Sequence, residues 1–138
     1  MTHTEGPCSG CMDKLAMADS YLANWFYSVK EAFPSTHVCW SFRNQAEQDH
    51  DYEKGLSQKK WPESKHNFTF NGQPHSLALD LFELKNGSAL FRPDFYTHIY
   101  AWSMNNGFDR ISWGGRFKTL HDWDHFQIDA PTGDTDAH

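Results

Sequence analysis

The apolar residues of the first third of the chain recur with the period of an amphipathic helix. Between Met12 and Phe33 they follow one another at steps of three, four and seven residues: Leu15, Leu22, Phe26, Val29 and Phe33. Steps of this size place side chains on one face of an α-helix. The pattern therefore predicts one helix over residues 12–33, which Pro34 ends because proline cannot continue a helix.

Shorter patterns predict the remaining elements. Segments rich in β-branched and aromatic residues predict strands at 37–42, 68–70, 76–84, 109–113 and 125–128. The Asn71-Gly72 pair indicates a hairpin, since both residues tolerate the positive φ angles of a tight turn. Two further helices are expected, one from Asn44 to Lys54 and one that begins at Pro93 and ends at Asn106-Gly107.

The order of these elements predicts an α+β fold, with helices packed on a small, mainly antiparallel sheet. No linker or internal repeat divides the 138 residues, so we interpret residues 1–138 as one domain whose ends, 1–11 and 130–138, are flexible. We expect the central strand to end at Asp80 and to lie beside the strand of His125. The first helix should cover the opposite face of the sheet.

Charge and hydropathy exclude several classes of function. The formal net charge of −6 argues against a nucleic-acid partner, because binding to phosphates normally requires a clustered basic excess. No apolar run has the length of a membrane span, and the first ten residues lack the basic start and apolar stretch of a secretory signal. We therefore expect a cytoplasmic protein without a membrane or nucleic-acid partner.

The three cysteines leave two interpretations open. An odd number of cysteines in a sequence without a secretory signal predicts reduced thiols. The spacing of Cys8 and Cys11 is also that of a zinc knuckle, and His37 and Cys39 could form its second half. The sequence favours ordinary thiols and leaves a second zinc site as the alternative, because structural zinc sites usually show a tight pair of ligands at both ends.

Metal-compatible side chains occur in three separate pieces: SKHN with His66, SLALD with Asp80, and HDWDHF with His125. Residues two apart in a strand share a face, so Asp80 faces away from the neighbouring leucines whereas His75 falls on their side. His66 precedes the predicted hairpin, which can return the chain to Asp80. This strand phase favours His66 as the partner of Asp80 and leaves His75 as the alternative.

These motifs resemble those of the zinc peptidases of the Hedgehog/DD-peptidase fold, which include D-alanyl-D-alanine carboxypeptidases and phage L-alanyl-D-glutamate endopeptidases. The resemblance is carried by SFRNQAEQ (41–48), the turn at 52–55, SKHN (64–67), SLALD (76–80), ISWGG (111–115) and DWDHFQI (122–128). The family usually places its first histidine within about ten residues of the aspartate, whereas fourteen positions separate His66 from Asp80. An inserted hairpin, FTFNGQ, accounts for the difference.

The resemblance implies a role for each candidate site residue. Zn²⁺ would be held by His66, Asp80 and His125. The catalytic carboxylate would be Asp122, which can carry a proton because it is surplus to the ligand set. Arg43 would polarise or anchor the substrate, and Ser64 is assigned with it to substrate binding. Asp124, which would face the other side of the strand, receives no role.

The implied function is hydrolysis of the peptide stem of peptidoglycan by a monomeric zinc metallopeptidase. The wording of SKHN, WGG and DWDHF is most similar to that of phage endolysins of the L-alanyl-D-glutamate endopeptidase type. Without a secretory signal, such an enzyme would wait in the host cytoplasm until membrane holes release it to the cell wall. Two alternatives remain open: a D-alanyl-D-alanine carboxypeptidase and a non-catalytic zinc-containing wall-binding module.

Overall fold

The structure is a computed structural model that describes residues 9–117 and 121–132. An antiparallel sheet forms its centre. The helices are α1 (Ser9–Leu15), α2 (Ser20–Ala32), α3 (Gln45–Glu53) and α4 (Pro93–Asn105). The strands are β1 (Thr36–Trp40), β2 (Thr69–Phe70), β3 (Gln73–Pro74), β4 (Ala78–Lys85), β5 (Ser88–Leu90), β6 (Ser112–Trp113) and β7 (His125–Gln127). Two short 3-10 turns cover Lys65–Asn67 and Gly114–Arg116.

The five-stranded sheet has the order β1-β4-β7-β6, and β5 pairs with β4. Each of these pairings is antiparallel, which confirms the predicted α+β class. Strands β2 and β3 form a separate hairpin, in which Asn71 and Gly72 have φ angles of 54° and 76°. The Asn71-Gly72 turn is therefore the tight turn that the sequence predicts.

The central strand β4 agrees closely with the strand predicted at 76–84 but does not end at Asp80. Strand β4 runs through Asp80 to Lys85, because its second half pairs with β5 across a turn at Asn86 and Gly87. These two residues have φ angles of 52° and 79°, the conformation of a tight hairpin. The prediction that the strand ends at Asp80 is wrong, whereas its expected position beside the His125 strand is confirmed, since Asp80 pairs with His125.

The apolar pattern of residues 12–33 belongs to two helices rather than one. Between α1 and α2 the chain turns to meet the start of β4, and the Ser76 backbone accepts a bond from Asp19 N at 2.9 Å and donates one to Met17 O at 2.7 Å. The Asp19 side chain then caps α2 by accepting a hydrogen bond from Tyr21 N. These local bonds end α1 although the apolar spacing continues across the break.

Helix α2 covers the face of the sheet opposite Asp80. Its inward side chains are fully buried: Leu22, Trp25, Phe26 and Val29. The Trp25 ring lies 5.1 Å from the Phe126 ring on β7, and its Nε1 donates to Ser103 Oγ of α4 at 2.8 Å. Each such side chain contributes about 1.5–3 kcal/mol through burial. The sheet that carries the site residues is thus supported from behind by a dense aromatic core.

Two smaller expectations differ from the structure. The strand predicted at 109–113 is reduced to Ser112–Trp113. Residues 9–11 of the range expected to be flexible belong to α1, with Cys11 1% exposed. No helix in the described ranges is long and apolar enough to cross a membrane.

The cysteines do not behave uniformly. Cys11 is disulfide-bonded, which corrects the expectation that all three thiols are reduced. Cys39 is free and donates to the Asp80 carbonyl at 3.4 Å. Although Cys11 Sγ lies 3.7 Å from His37 Nδ1, these residues form no cluster of three or more metal ligands within the part of the chain that the structure describes. Cys8 lies outside the described residues.

Asp19 provides a test of the fold. Its carboxylate is fully buried and accepts bonds from Tyr21 N, from Thr132 N and Oγ1, and from His75 Nε2. Burial raises the pKa of Asp19, but these hydrogen bonds together outweigh it and lower the pKa below its usual value. We expect Asp19→Ala to lower the free energy of unfolding by about 2–4 kcal/mol at neutral pH.

The pH dependence of that loss in stability follows from the direction in which the pKa of Asp19 is shifted. A group whose folded pKa is lowered stabilises the protein above its unfolded pKa and ceases to do so as the pH falls through its folded pKa. The difference between the wild type and Asp19→Ala in urea unfolding should therefore shrink below pH 4. His75→Ala, which removes only one of the bonds, is the control and should cost less. Equal stabilities at pH 7 would contradict the role of Asp19.

Candidate metal centre

His66, Asp80 and His125 converge on one point. One ligand atom from each lies within 4.8 Å of the others, and the three side chains are buried. Asp80 Oδ1 is 3.2 Å from His66 Nε2 and 3.0 Å from His125 Nδ1. Asp80 and His125 come together because they are paired residues of β4 and β7, so the sheet register itself brings these two side chains together.

His66 belongs to the 3-10 turn that precedes the β2-β3 hairpin, and this turn brings its side chain to the same point. Ser64 caps this turn, since its Oγ accepts from His66 N at 3.2 Å and its own N–H donates to Asn67 Oδ1 at 3.0 Å. The turn is attached to the main sheet by a bond from Leu77 N to Lys65 O at 3.0 Å. His66 therefore stays beside Asp80 although the β2-β3 hairpin lies between them in the sequence. The Ser64 hydroxyl has a capping role, and its binding of substrate stays a prediction.

His75, the alternative ligand, lies elsewhere. Its Nε2 is 2.8 Å from Asp19 Oδ2 at the start of α2, and its ring packs against Phe68 at 5.9 Å. Between the two candidate histidines, the structure therefore places His66, and not His75, beside Asp80.

Each imidazole is oriented by a hydrogen bond on its far nitrogen. His66 Nδ1 lies 2.7 Å from the Ser41 carbonyl, which can only accept, so Nδ1 donates to it and Nε2 is the nitrogen that faces Asp80. His125 Nε2 lies 2.8 Å from Gln127 Oε1, which leaves Nδ1 to face Asp80. Such outer partners fix the tautomer of a metal-binding histidine. Sequence reasoning missed Gln127, whose signal is its place two residues after His125 on the same strand face.

The charged groups at this point shift one another's pKa values. Burial raises the pKa of Asp80, but the neighbouring His66 and His125 outweigh it and hold the pKa well below its usual range. Burial likewise lowers the pKa of His125, and the hydrogen bond and charge of Asp80 outweigh it and raise the pKa to about 9. A carboxylate that stays ionised between two inward-facing imidazoles is a donor set that fits a zinc ion.

Arg43 lies behind Asp80. It is 6% exposed, its Nη2 is 3.6 Å from Asp80 Oδ2, and its Nε is 3.2 Å from Asp51 Oδ2. Its guanidinium carbon lies 5.1 Å from the centre of the Trp40 ring. The permanent charge of Arg43 therefore acts on the site at close range from a buried position.

Gln48 holds Arg43 in this position. Its fully buried amide oxygen accepts from Arg43 Nη1 at 2.9 Å and from Asn67 Nδ2 at 3.2 Å, and its nitrogen donates to Ser57 Oγ and the Lys59 carbonyl. Gln48 thus braces α3, the loop that follows it and the His66 turn.

Asp122 lies at the edge of the site and outside the group of three. Its side chain is 52% exposed, and its Oδ2 is 3.9 Å from His125 Nδ1. Asp124 is closer to the site than its strand phase predicts, because the charges of Asp80 and Asp122 act on it. Burial and these charges together raise the pKa of Asp124 to about 8. His121 points away, since its ring stacks on Trp123 and its Nδ1 donates to Gly115 O at 2.8 Å.

Comparison with known proteins identifies the fold. No protein-family model matches the sequence, and no curated protein matches it. Among solved structures, the chain is similar to the crystal structure of the Serratia marcescens L-Ala D-Glu endopeptidase ChiX, with a TM-score of 0.71. The chain has the fold of that endopeptidase. The match covers 88% of this chain and 87% of that one at 22% sequence identity, and it bears out the resemblance at the level of the fold.

The choice between the two histidines can be tested by metal binding. His66→Ala removes a nitrogen that faces Asp80, so we expect a loss of zinc affinity larger than the roughly 10–100-fold that changes outside the ligand set cost. His75→Ala is the matched control and should bind zinc like the wild type. Titration calorimetry and zinc content per chain measure both variants. Zinc loss in His75→Ala alone would reverse the assignment.

A second test concerns Gln127. Gln127→Ala removes the acceptor for His125 Nε2–H and frees the ring to rotate or change tautomer, so zinc affinity should fall by about 10–100-fold with the fold intact. Gln73, an exposed glutamine on β3, provides the control Gln73→Ala, which should bind zinc normally. Equal affinities in the two variants would show that Gln127 does not orient the ligand.

Proposed function

We propose that this protein is a zinc-dependent peptidase that hydrolyses the peptide stem of bacterial peptidoglycan, as an endopeptidase of the L-alanyl-D-glutamate type. The observation that carries the proposal is the convergence of His66, Asp80 and His125 within 4.8 Å. It is supported by a fold shared with a protein described as an L-Ala D-Glu endopeptidase. Two imidazoles and one carboxylate are the ligand set of a catalytic zinc site, since they leave a coordination position free.

The residues around the three ligands suit peptide hydrolysis. When bound, zinc supplies a Lewis acid that polarises the scissile carbonyl and activates water at neutral pH. Asp122 is exposed enough to meet a substrate and near enough to His125 to serve the same reacting bond. In the proposed reaction its carboxylate takes a proton from the attacking water and delivers it to the leaving amine.

Arg43 is proposed to act from behind the ligands. It is 6% exposed, its Nη1 donates to Gln48, and its guanidinium lies 3.2 Å from the Asp51 carboxylate and 3.6 Å from that of Asp80. A fixed positive charge in a buried position stabilises negative charge that develops nearby, because screening by water is weak there. Its contribution would therefore be to favour an ionised Asp80 and an oxyanion, rather than to anchor an exposed substrate group.

The finer assignment is a phage endolysin that acts as a monomer and remains in the host cytoplasm until it is released to the wall. Its support is the wording of SKHN, WGG and DWDHF, which resembles the phage enzymes. A D-alanyl-D-alanine carboxypeptidase and a non-catalytic wall-binding module are the alternatives that the next experiment separates.

Digestion of purified peptidoglycan tests the function directly. With zinc present, we expect new amino termini at D-glutamate, detected by mass spectrometry of the released fragments, and a chelator should abolish them until zinc is restored. Loss of only the terminal D-alanine would identify a carboxypeptidase instead. Binding to sacculi without any new amino group would identify a wall-binding module.

The role of Asp122 gives a further prediction. Because Asp122 is surplus to the ligand set, Asp122→Ala should keep about one zinc per chain while turnover falls on the order of 100-fold or more, the contribution of a positioned proton carrier. His121→Ala is the matched neighbour and should remain active, since the His121 ring stacks on Trp123. Metal loss in Asp122→Ala would make it a ligand. An active Asp122→Ala beside an inactive His121→Ala would transfer the proton-carrying role to His121.

A further inference from the structure

We propose that Gly114 is a positioning residue for Asp122, an inference that rests on the proposed function. A Cβ atom at Gly114 would lie 2.3 Å from the carbonyl oxygen of Asp122, 2.8 Å from its Cβ and 3.1 Å from its carbonyl carbon. Two of the three nearest atoms are main-chain atoms, which cannot move aside by a rotamer change. The backbone of Asp122 can lie where it does only because position 114 has no side chain.

Hydrogen bonds join the same two residues. Asp122 N donates to Gly114 O at 3.0 Å, and the same oxygen accepts from Phe117 N at 3.1 Å. The carbonyl of Asp122 in turn accepts from His125 N at 3.2 Å. Asp122 is therefore tied on one side to Gly114 and on the other to a residue of the candidate metal centre.

The Gly114 side of this contact is the fixed side. Trp113 precedes it in β6, pairs with Phe126 of β7, and stacks on the rings of Phe126 and Tyr100 at 6.2 Å and 5.3 Å. Asp122, in contrast, belongs to an exposed segment. An added methyl group at position 114 would therefore displace Asp122 rather than the core. A displacement of about 1 Å in a catalytic group can cost on the order of 100-fold in rate.

Two other glycines make matched controls. A Cβ at Gly115 would lie 2.3 Å from the Trp113 ring, so Gly115→Ala disturbs packing instead of Asp122. A Cβ at Gly10, in α1, would meet nothing within 4 Å. Gly10→Ala is thus a glycine-to-alanine change without a steric consequence.

The experiment compares zinc content, kcat and KM in these variants. Gly114→Ala should keep about one zinc per chain and its KM, while kcat falls on the order of 100-fold. Gly10→Ala should match the wild type. In the Asp122→Ala background, Gly114→Ala should lower kcat no further, since residues that act through one group have non-additive effects.

Three outcomes would overturn the inference: Gly114→Ala loses zinc, it raises KM with kcat unchanged, or its decrease in kcat adds in full to the decrease caused by Asp122→Ala. If Gly114→Ala does not fold, hydrogen exchange of the wild type decides instead. The Asp122 amide should then be protected from exchange, because it donates to Gly114 O. Exchange at the rate of a free peptide would refute this hydrogen bond. A wild type that cleaves no peptidoglycan refutes the proposed function, while the same exchange measurement still decides the contact.

Discussion

The buried carboxylate of Asp80 is the constraint on which the rest of the site depends. An ionised carboxylate removed from water is costly unless positive charge or hydrogen-bond donors surround it. Asp80 lies in the middle of a central strand, with His125 paired to it on one side and Trp40 on the other. It meets these requirements through two imidazoles at 3.0 and 3.2 Å and through Arg43 at 3.6 Å. The same arrangement that offsets its burial creates a ligand set for a cation.

The neutral partners around this centre determine its geometry. Ser41 and Gln127 each accept a hydrogen bond from one imidazole, and Gln48 holds both Arg43 and the turn of His66. None of these three partners carries a formal charge, so they orient the charged groups without competing for them. The buried Gln48 amide has both its oxygen and its nitrogen paired, because it accepts from Arg43 and Asn67 and donates to Ser57 and Lys59. The ligand positions are therefore set by strand register and by fixed hydrogen bonds.

The sequence predicts local features well where a single chemical signal decides them. Asn44 caps α3 in a capping box with Glu47, Asn71-Gly72 forms its hairpin, and strand phase selects His66. It does not predict the break at 16–19, because the apolar spacing persists while backbone bonds to Ser76 end the helix. The strand predicted at 76–84 agrees closely with β4, but β5 is not predicted from the sequence, because the second Asn-Gly pair, at Asn86, is overlooked as a hairpin signal.

Contacts between distant segments explain the remaining omissions. Nothing in the sequence around Gly114 shows that the backbone of Asp122 lies against it, and the glycine pair is equally typical of any tight turn. The ligands themselves are held by the sheet and its core, whereas Asp122 lies on an exposed segment that is bonded to Gly114 and His125. In the proposed reaction, the metal would be bound through rigid elements, and Asp122, the proposed proton carrier, would be placed through its contact with Gly114. The proposal therefore expects substitutions at Gly114 to affect turnover more than metal binding, because the contact with Gly114 involves Asp122 and none of the three candidate ligands.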